Sequence, residues 1–389
     1  MRRLLLGPSI ALVLASCDVP SGSAQREHGE RGSGGGACEL VEEGFGPRGT
    51  VPVRAEEVAN GLEVPWGILF LEGGDLLVTE RPGRLRLVRD GRLEPEPLAT
   101  IDAVHAGEGG LLGIAAHPDF ERNGRFYLYV TARTRGGAAN RVEEWRLVPD
   151  RDAPRAERVG TILEGIPAAR FHDGGRLRVG PDRMLYVATG DARSPRLAQD
   201  RQSLAGKILR LRLDGAEAGA RPEVFALGVR NVQGFDWRED GALVVTDHGP
   251  SGEFGRRGLD EVSVVRRGAN LGWPEVSGCD AHEGMVRPSL TWRAAAPPGG
   301  AAFYTGSAIA AWRGSLLVGT LGSRHLHRVV FEPGSARVRA HEVYFRNELG
   351  RIREVVMGPD GHLYVTTSNC DGRGECPPDG DKIYRIVPS

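Results

Sequence analysis

The chain has 389 residues, 40% hydrophobic and 26% charged, which is ordinary for a globular protein and enough to bury a large core. A formal net charge of −1 gives no global field that would recruit nucleic acid or an acidic membrane. The 56 glycines and 25 prolines, set among clear apolar runs, point to many tight turns and away from disorder.

At the N-terminus, Arg2 and Arg3 precede an apolar stretch from Leu4 to Leu14, too short to span a bilayer as a stable helix. It ends in Leu14-Ala15-Ser16-Cys17, which resembles the bacterial lipobox. That resemblance implies a signal peptide over residues 1–16 and a diacylglyceryl group on the Cys17 thiol. A plain secretory signal is the other reading. Residues 17–36 are rich in Gly, Ser and charge and read as a flexible tether. No later segment has enough uninterrupted apolar residues to cross a membrane. The body, 37–389, is therefore expected in the periplasm or at the cell surface, held to the membrane by lipid alone. Cys38, Cys279, Cys370 and Cys376 remain; in an oxidising compartment they allow three pairings. Cys370 and Cys376 share one short Gly-rich loop, which favours that bridge, with Cys38 to Cys279 as the other.

A strand recurs six times along the chain, at 75–79, 126–131, 184–189, 242–246, 315–319 and 362–366. Most copies follow a Gly-containing turn, and a second run with period-two alternation follows at 83–88, 208–213, 326–330 and 382–387. Period two with β-branched and aromatic enrichment is strand geometry. The copies lie roughly 45 to 75 residues apart, the size of one four-stranded blade. One blade cannot bury both faces, whereas a closed ring can. The expected fold is all-β: a six-bladed β-propeller with four-stranded antiparallel blades, the C-terminal strand closing the ring beside N-terminal strands. A fold of this kind implies no chemistry by itself.

Polar residues then cluster among glycines in the loops. They are Gly107 to Gly113 (GEGGLLG) with His117 to Phe120, Phe171 to Leu177 (FHDGGRL) with Asp191, Gly228 to Gly234 (GVRNVQG), Asp247 to Pro250 (DHGP) with Asp260 and Glu261, Asn270 to Pro274 (NLGWP), and Gly350 to Arg353 (GRIR). Arg351 and Arg353, two apart on a strand, point to one face.

From about Gly61 to Val387 this ordered series resembles the PQQ-dependent soluble aldose dehydrogenases, the glucose/sorbosone dehydrogenase family. The resemblance implies a six-bladed propeller holding PQQ at the channel mouth and oxidising aldoses at C1 to the lactone. It places His172 as general base and Asp191 as the carboxylate that orients it. Arg230, with Asn231 beside it, would stabilise negative charge developing on the quinone. Arg351 and Arg353 would clamp the cofactor's carboxylates, with Glu108 near the quinone. Calcium would be held by the carbonyls of Gly249 and Pro250, and a further calcium by Glu261 and the carbonyl of Leu271. The family's cofactor-contacting lysine is replaced here by Gly322; Arg324, two residues on, is the candidate to supply the charge. Asp173 beside His172 is also unusual and is expected to raise the base's pKa. The electron acceptor is not legible. Two other functions compete: a surface propeller that binds without catalysis, and a calcium-dependent lactonase-type propeller, which needs acidic and Asn side chains converging on a channel ion.

Overall fold

The computed structural model describes residues 38–148, 150, 154–213 and 221–389. The expected signal peptide, Cys17 and the tether lie outside them. The described residues form six small sheets, one per blade, in a nearly all-β propeller. The innermost strands are Pro65–Phe70, Leu111–Ala116, Leu177–Val179, Val232–Trp237, Pro298–Phe303 and Ile352–Met357. The recurring strand of the sequence is the second of each blade: Leu76–Glu80, Arg125–Thr134, Leu185–Ala188, Leu243–Asp247, Leu316–Thr320 and Leu363–Thr367. Third strands that the alternation shows are Arg84–Arg89, Lys207–Leu211, Leu326–Phe331 and Asp381–Pro388. Those of blades two and four, Gly137–Val148 and Asp260–Val265, escape it. Asn140, Glu143 and Glu144 are buried in the first of these and interrupt its apolar pattern.

The ring closes as expected: Val53–Leu62 pairs antiparallel with Asp381–Pro388, so the two ends of the chain share blade six. Blades are not all four-stranded. Glu39–Val41 adds in parallel to Leu290–Trp292 of blade four, and Ala269–Asn270 adds in parallel to Glu223–Leu227 of blade three. Ala99–Thr100 joins Arg84–Arg89 in blade one. Each addition covers part of an outer edge whose backbone groups would otherwise lack partners. Cys38–Cys279 anchors the first of these strands, and Cys370–Cys376 staples a loop of blade six.

Apolar clusters fill the gaps between successive blades, for example Trp292 with Val318 between four and five, and Trp312 with Val355 between five and six. Each buried Leu, Val or Phe there contributes about 1.5–3 kcal/mol, which an isolated blade would forgo. Inner strands approach so closely that Gly234 admits no side chain: a Cβ would lie 2.5 Å from the Gly299 carbonyl oxygen. In the channel, Arg176 donates from Nε to the Gln233 carbonyl at 2.8 Å, pairs with Glu354 and lies over the Trp66 ring. Among the described residues no helix is long and apolar enough to cross a membrane.

Candidate active site

The loop that follows blade two carries His172 in the left-handed region, φ 69°, a conformation uncommon for residues other than glycine and informative where it occurs. Gly190 makes room for it: a Cβ there would lie 1.9 Å from the His172 carbonyl oxygen. The imidazole Nδ1 lies 2.7 Å from Asp191 Oδ1. Asp191 is fully buried and held further by the Trp273 indole N–H at 2.8 Å and the Arg193 N–H at 2.8 Å. A carboxylate so fixed orients the ring and makes Nδ1 the protonated nitrogen, leaving Nε2 as the basic one. Nε2 faces Arg230 and Glu253, with Glu253 Oε1 at 3.9 Å.

Arg230 is positioned through its backbone. Asp247 accepts from the N–H groups of Arg230 and Asn231 at 2.8 and 2.6 Å, fixing the turn. The guanidinium donates to Glu253 Oε1 at 2.9 Å and lies 5.6 Å from the Trp273 ring centroid. Asn231 Nδ2 donates to Glu108 Oε2 at 3.2 Å, and the same oxygen accepts the His172 N–H at 2.8 Å. Burial works against the charge on Glu108, but His248, the His172 N–H and Arg373 outweigh it and hold the carboxyl below its ordinary range. Burial likewise opposes ionisation of Glu253, yet the Ser251 N–H and Arg230 bring it down to about 2.

Asp173 is an electrostatic neighbour of His172, which acts to lower its carboxyl. Its side chain anchors the loop, accepting from Asn140 Nδ2 at 3.0 Å and from the Ala169 N–H at 3.2 Å. Burial raises its carboxyl to about 6 against those bonds.

The two clamp arginines come together with others. Arg351 pairs with Asp371 at 2.8 Å and donates to the Leu321 carbonyl at 3.2 Å. Arg353 donates to Gln233 Oε1 at 2.7 Å, but its buried Nε has no hydrogen-bond partner. Burial pushes the Arg353 guanidinium down to about 9, against the pull of Asp371, and the charges of Arg351 and Arg81 add to the push. A guanidinium stays protonated at working pH, so this pocket is short of negative charge. Arg324 has a left-handed backbone, φ 52°, and its carbonyl accepts from the Asn347 N–H at 2.8 Å. At Gly322 a Cβ would meet Pro297 at 2.9 Å, so the place of the family's lysine is closed by a proline.

The expected calcium donors are dispersed over blades three and four. The Gly249 N–H donates to Asp260 at 2.9 Å and Glu261 accepts from Gly278 at 2.7 Å. The Leu271 N–H donates to the Leu227 carbonyl at 2.9 Å. Among the described residues no three His, Cys, Asp or Glu side chains converge as metal ligands.

Residues 62–383 match the family described as Glucose / Sorbosone dehydrogenase. The chain belongs to this family. Among its relatives is the aldose sugar dehydrogenase YliI of Escherichia coli, 31% identical, with 82% of this chain and 91% of that one aligned. An oxidoreductase of Thermus thermophilus described as a glucose dehydrogenase is 43% identical, with TM-score 0.78 over 86% of this chain and all of that one. The PQQ-bound form of an aldose sugar dehydrogenase from Streptomyces coelicolor is 33% identical, with TM-score 0.76 over 88% of this chain and 99% of that one.

Within this family member, sequence reasoning missed Glu253, Arg81, Asp371 and Arg373. Arg81 directly follows the recurring strand of blade one and reaches His105 Nε2 at 3.3 Å. Asp371 and Arg373 lie between the bridged Cys370 and Cys376, and Arg373 pairs with Glu108 at 3.2 Å. A charged pair inside a stapled loop was the available signal. Glu253 gave none, since its neighbours read as an ordinary surface turn.

Proposed function

We propose that this oxidoreductase removes hydride from C1 of an aldose and releases the lactone, with PQQ as hydride acceptor and calcium beside it. The observation that carries the reading is the His172–Asp191 pair, its Nε2 without a hydrogen-bond partner among the described residues, set next to a cluster of arginines that outnumber their carboxylates, Asp371 and Glu108. That shortage fits a cofactor bearing several carboxylates. Arg351 and Arg353 would hold them as planar, bidentate donors, and Arg81, Arg373 and Arg324 are the candidates to supply the charge that Gly322 lacks. Glu108 and Asn231 would border the quinone. When bound, PQQ accepts the hydride from carbon. His172 Nε2 accepts the C1 hydroxyl proton, and buried Asp191 stabilises the imidazolium that results. The Arg230 guanidinium offers fixed positive charge where negative charge develops. The carbonyls of Gly249 and Pro250, and separately Glu261 with the Leu271 carbonyl, are hard oxygen donors of the kind calcium takes.

We further propose export and a lipid anchor at Cys17. Two disulfides within the propeller fit an oxidising compartment. Reconstituting the purified protein with PQQ and calcium tests the main reading, by quinone absorbance and by dye reduction with glucose and other aldoses. Absence of binding at micromolar PQQ would defeat it. For the anchor, Cys17→Ser should move the protein from the membrane to the soluble fraction.

A further inference from the structure

We propose that the segment Ser251–Arg257 is the sugar-recognition wall of the site, with Phe254 as an aromatic platform for the C–H face of a pyranose and Glu253 as acceptor for the hydroxyl next to C1. The proposal rests on the aldose-oxidising reading above and names where its substrate sits.

Phe254 is 66% exposed. A single exposed phenylalanine is ordinary, but this one is built. Its backbone is left-handed, φ 53°, a real outlier for a bulky side chain. It sits between Gly252 and Gly255, both at positive φ, in a turn closed by the Ser251–Arg257 bridge and by the Gly252 N–H donating to the Arg256 carbonyl at 2.9 Å. The ring is then fixed edge-on to Trp273 at 6.0 Å between centroids. The Arg256 guanidinium lies 5.4 Å from the Phe254 centroid and 5.7 Å from that of Trp273. It is itself tied to Ser277 Oγ at 2.9 Å and the Pro274 carbonyl at 2.6 Å. Trp273 in turn donates to Asp191. An apolar ring held in water, one side chain from the carboxylate that orients the base, is positioned for a ligand that is apolar on one face.

The adjacent residue turns inward. Glu253 Oε1 accepts from Arg230 at 2.9 Å and lies 3.9 Å from His172 Nε2, while Oε2 accepts the Ser251 N–H at 2.6 Å. The carboxylate and the base therefore face one small space without bonding each other. A pyranose whose C1 hydroxyl donates to Nε2 brings its C2 hydroxyl beside an acceptor already ionised and anchored. Polar edges met by carboxylates and C–H faces met by aromatic rings are the two surfaces a sugar offers.

The test compares wild type, Phe254→Ala, Phe254→Tyr and Glu253→Gln, each first checked for fold by circular dichroism. In the PQQ-loaded protein, Phe254→Ala should raise KM for glucose by about tenfold, the scale of an aromatic contact, with kcat and the bound-cofactor absorbance changing far less. Phe254→Tyr should restore KM. Glu253→Gln should shrink the preference for glucose over 2-deoxyglucose. KM within twofold of wild type in Phe254→Ala would overturn the platform. An unaltered preference in Glu253→Gln would overturn the carboxylate's role. Saturation-transfer NMR of the cofactor-free protein with 1,5-anhydroglucitol, which has no C1 hydroxyl to oxidise, separates this proposal from the reading beneath it. A sugar signal lost in Phe254→Ala but with no turnover in the loaded wild type would sink aldose oxidation alone. No signal in wild type would sink the wall.

Discussion

Two of the regions that bury histidine do so to opposite ends. At the channel mouth, His172 stands in a left-handed backbone position with Asp191 on one nitrogen and Glu253 3.9 Å from the other. In blade five, His325, His327 and His341 form a row on and beside regular strands. His325 Nδ1 lies 3.2 Å from the Ser323 carbonyl, His325 Nε2 3.1 Å from His327 Nδ1, and His327 Nε2 3.2 Å from His341 Nδ1. With Nδ1 donating in each ring, neutral His325 and His327 are satisfied within the row, and His341 Nε2 lies 3.8 Å from Glu39. Burial pushes His325 down to about 4 and His327 far below its ordinary value, and Arg346 and the neighbouring imidazoles act in the same direction. Burial also lowers His341, with Glu39 opposing. Among carbonyls and other imidazoles, burial holds His325 and His327 neutral. Burial alone does not mark function; the partner does.

The comparison breaks most sharply at the base. His172→Ala is expected to cut turnover of the PQQ-loaded enzyme by about 10³-fold, the typical worth of a positioned general base, and to leave the cofactor spectrum in place. Stopped-flow reduction of the bound quinone measures this, and a variant that keeps most of its rate removes His172 from the role.

The histidine row should show its opposite character in stability. Its folded pKa values lie below the unfolded value, so the unfolded chain takes up protons first. The row's contribution is whole above pH 6.5 and is lost as pH falls toward 4, about 3 kcal/mol from His325 alone. Urea midpoints followed from pH 7.5 to 4.5 should decline, and less steeply in His325→Gln. Equal slopes would show that other groups carry the acid sensitivity.

The arginine cluster sharpens the comparison from the cofactor side. Arg353→Met should weaken PQQ binding by about 10- to 100-fold, the range for hydrogen bonds to charged groups. It should also relieve a buried charge that Asp371 offsets only in part. Absorbance titration should therefore show lower affinity together with a thermal midpoint that is unchanged or higher without cofactor. A lower midpoint would mean that Arg353 is structural.

The smallest effect concerns the stapled loop. Replacing Cys370 and Cys376 by Ser opens a loop of sequence separation 6, worth about 2 kcal/mol on chain entropy. Its larger signature should be looser PQQ binding, because Asp371 and Arg373 lose their fixed places. Unchanged affinity would separate the disulfide from the site.

Much of this site was legible because its parts sit at points where the strand pattern breaks. His172, Asp191, Arg230, Arg351 and Arg353 flank glycines at strand ends, and the structure brings them to one mouth as a ring of repeats requires. Arg81, remote in sequence, escaped notice because only ring closure brings its charge from blade one to Arg353. Adjacency to His172 marked Asp173 as an electrostatic neighbour, but not that it also holds the loop through Asn140 and the Ala169 N–H.

The sequence by itself determined six strand repeats and the residue types of the site, and favoured the pairing of chain ends and of Cys370 with Cys376, because period-two alternation, short loops and family motifs are local signals. Only the tertiary structure decided which charges meet. Closing six blades around a channel juxtaposes residues far apart in sequence, such as Glu108 with Arg373 and Arg176 with Glu354. It also leaves Arg353 short of an anion and sets Glu253 between Arg230 and His172. Electrostatic partners follow from distance in space, and nothing in a linear pattern fixes that distance until the ring is closed.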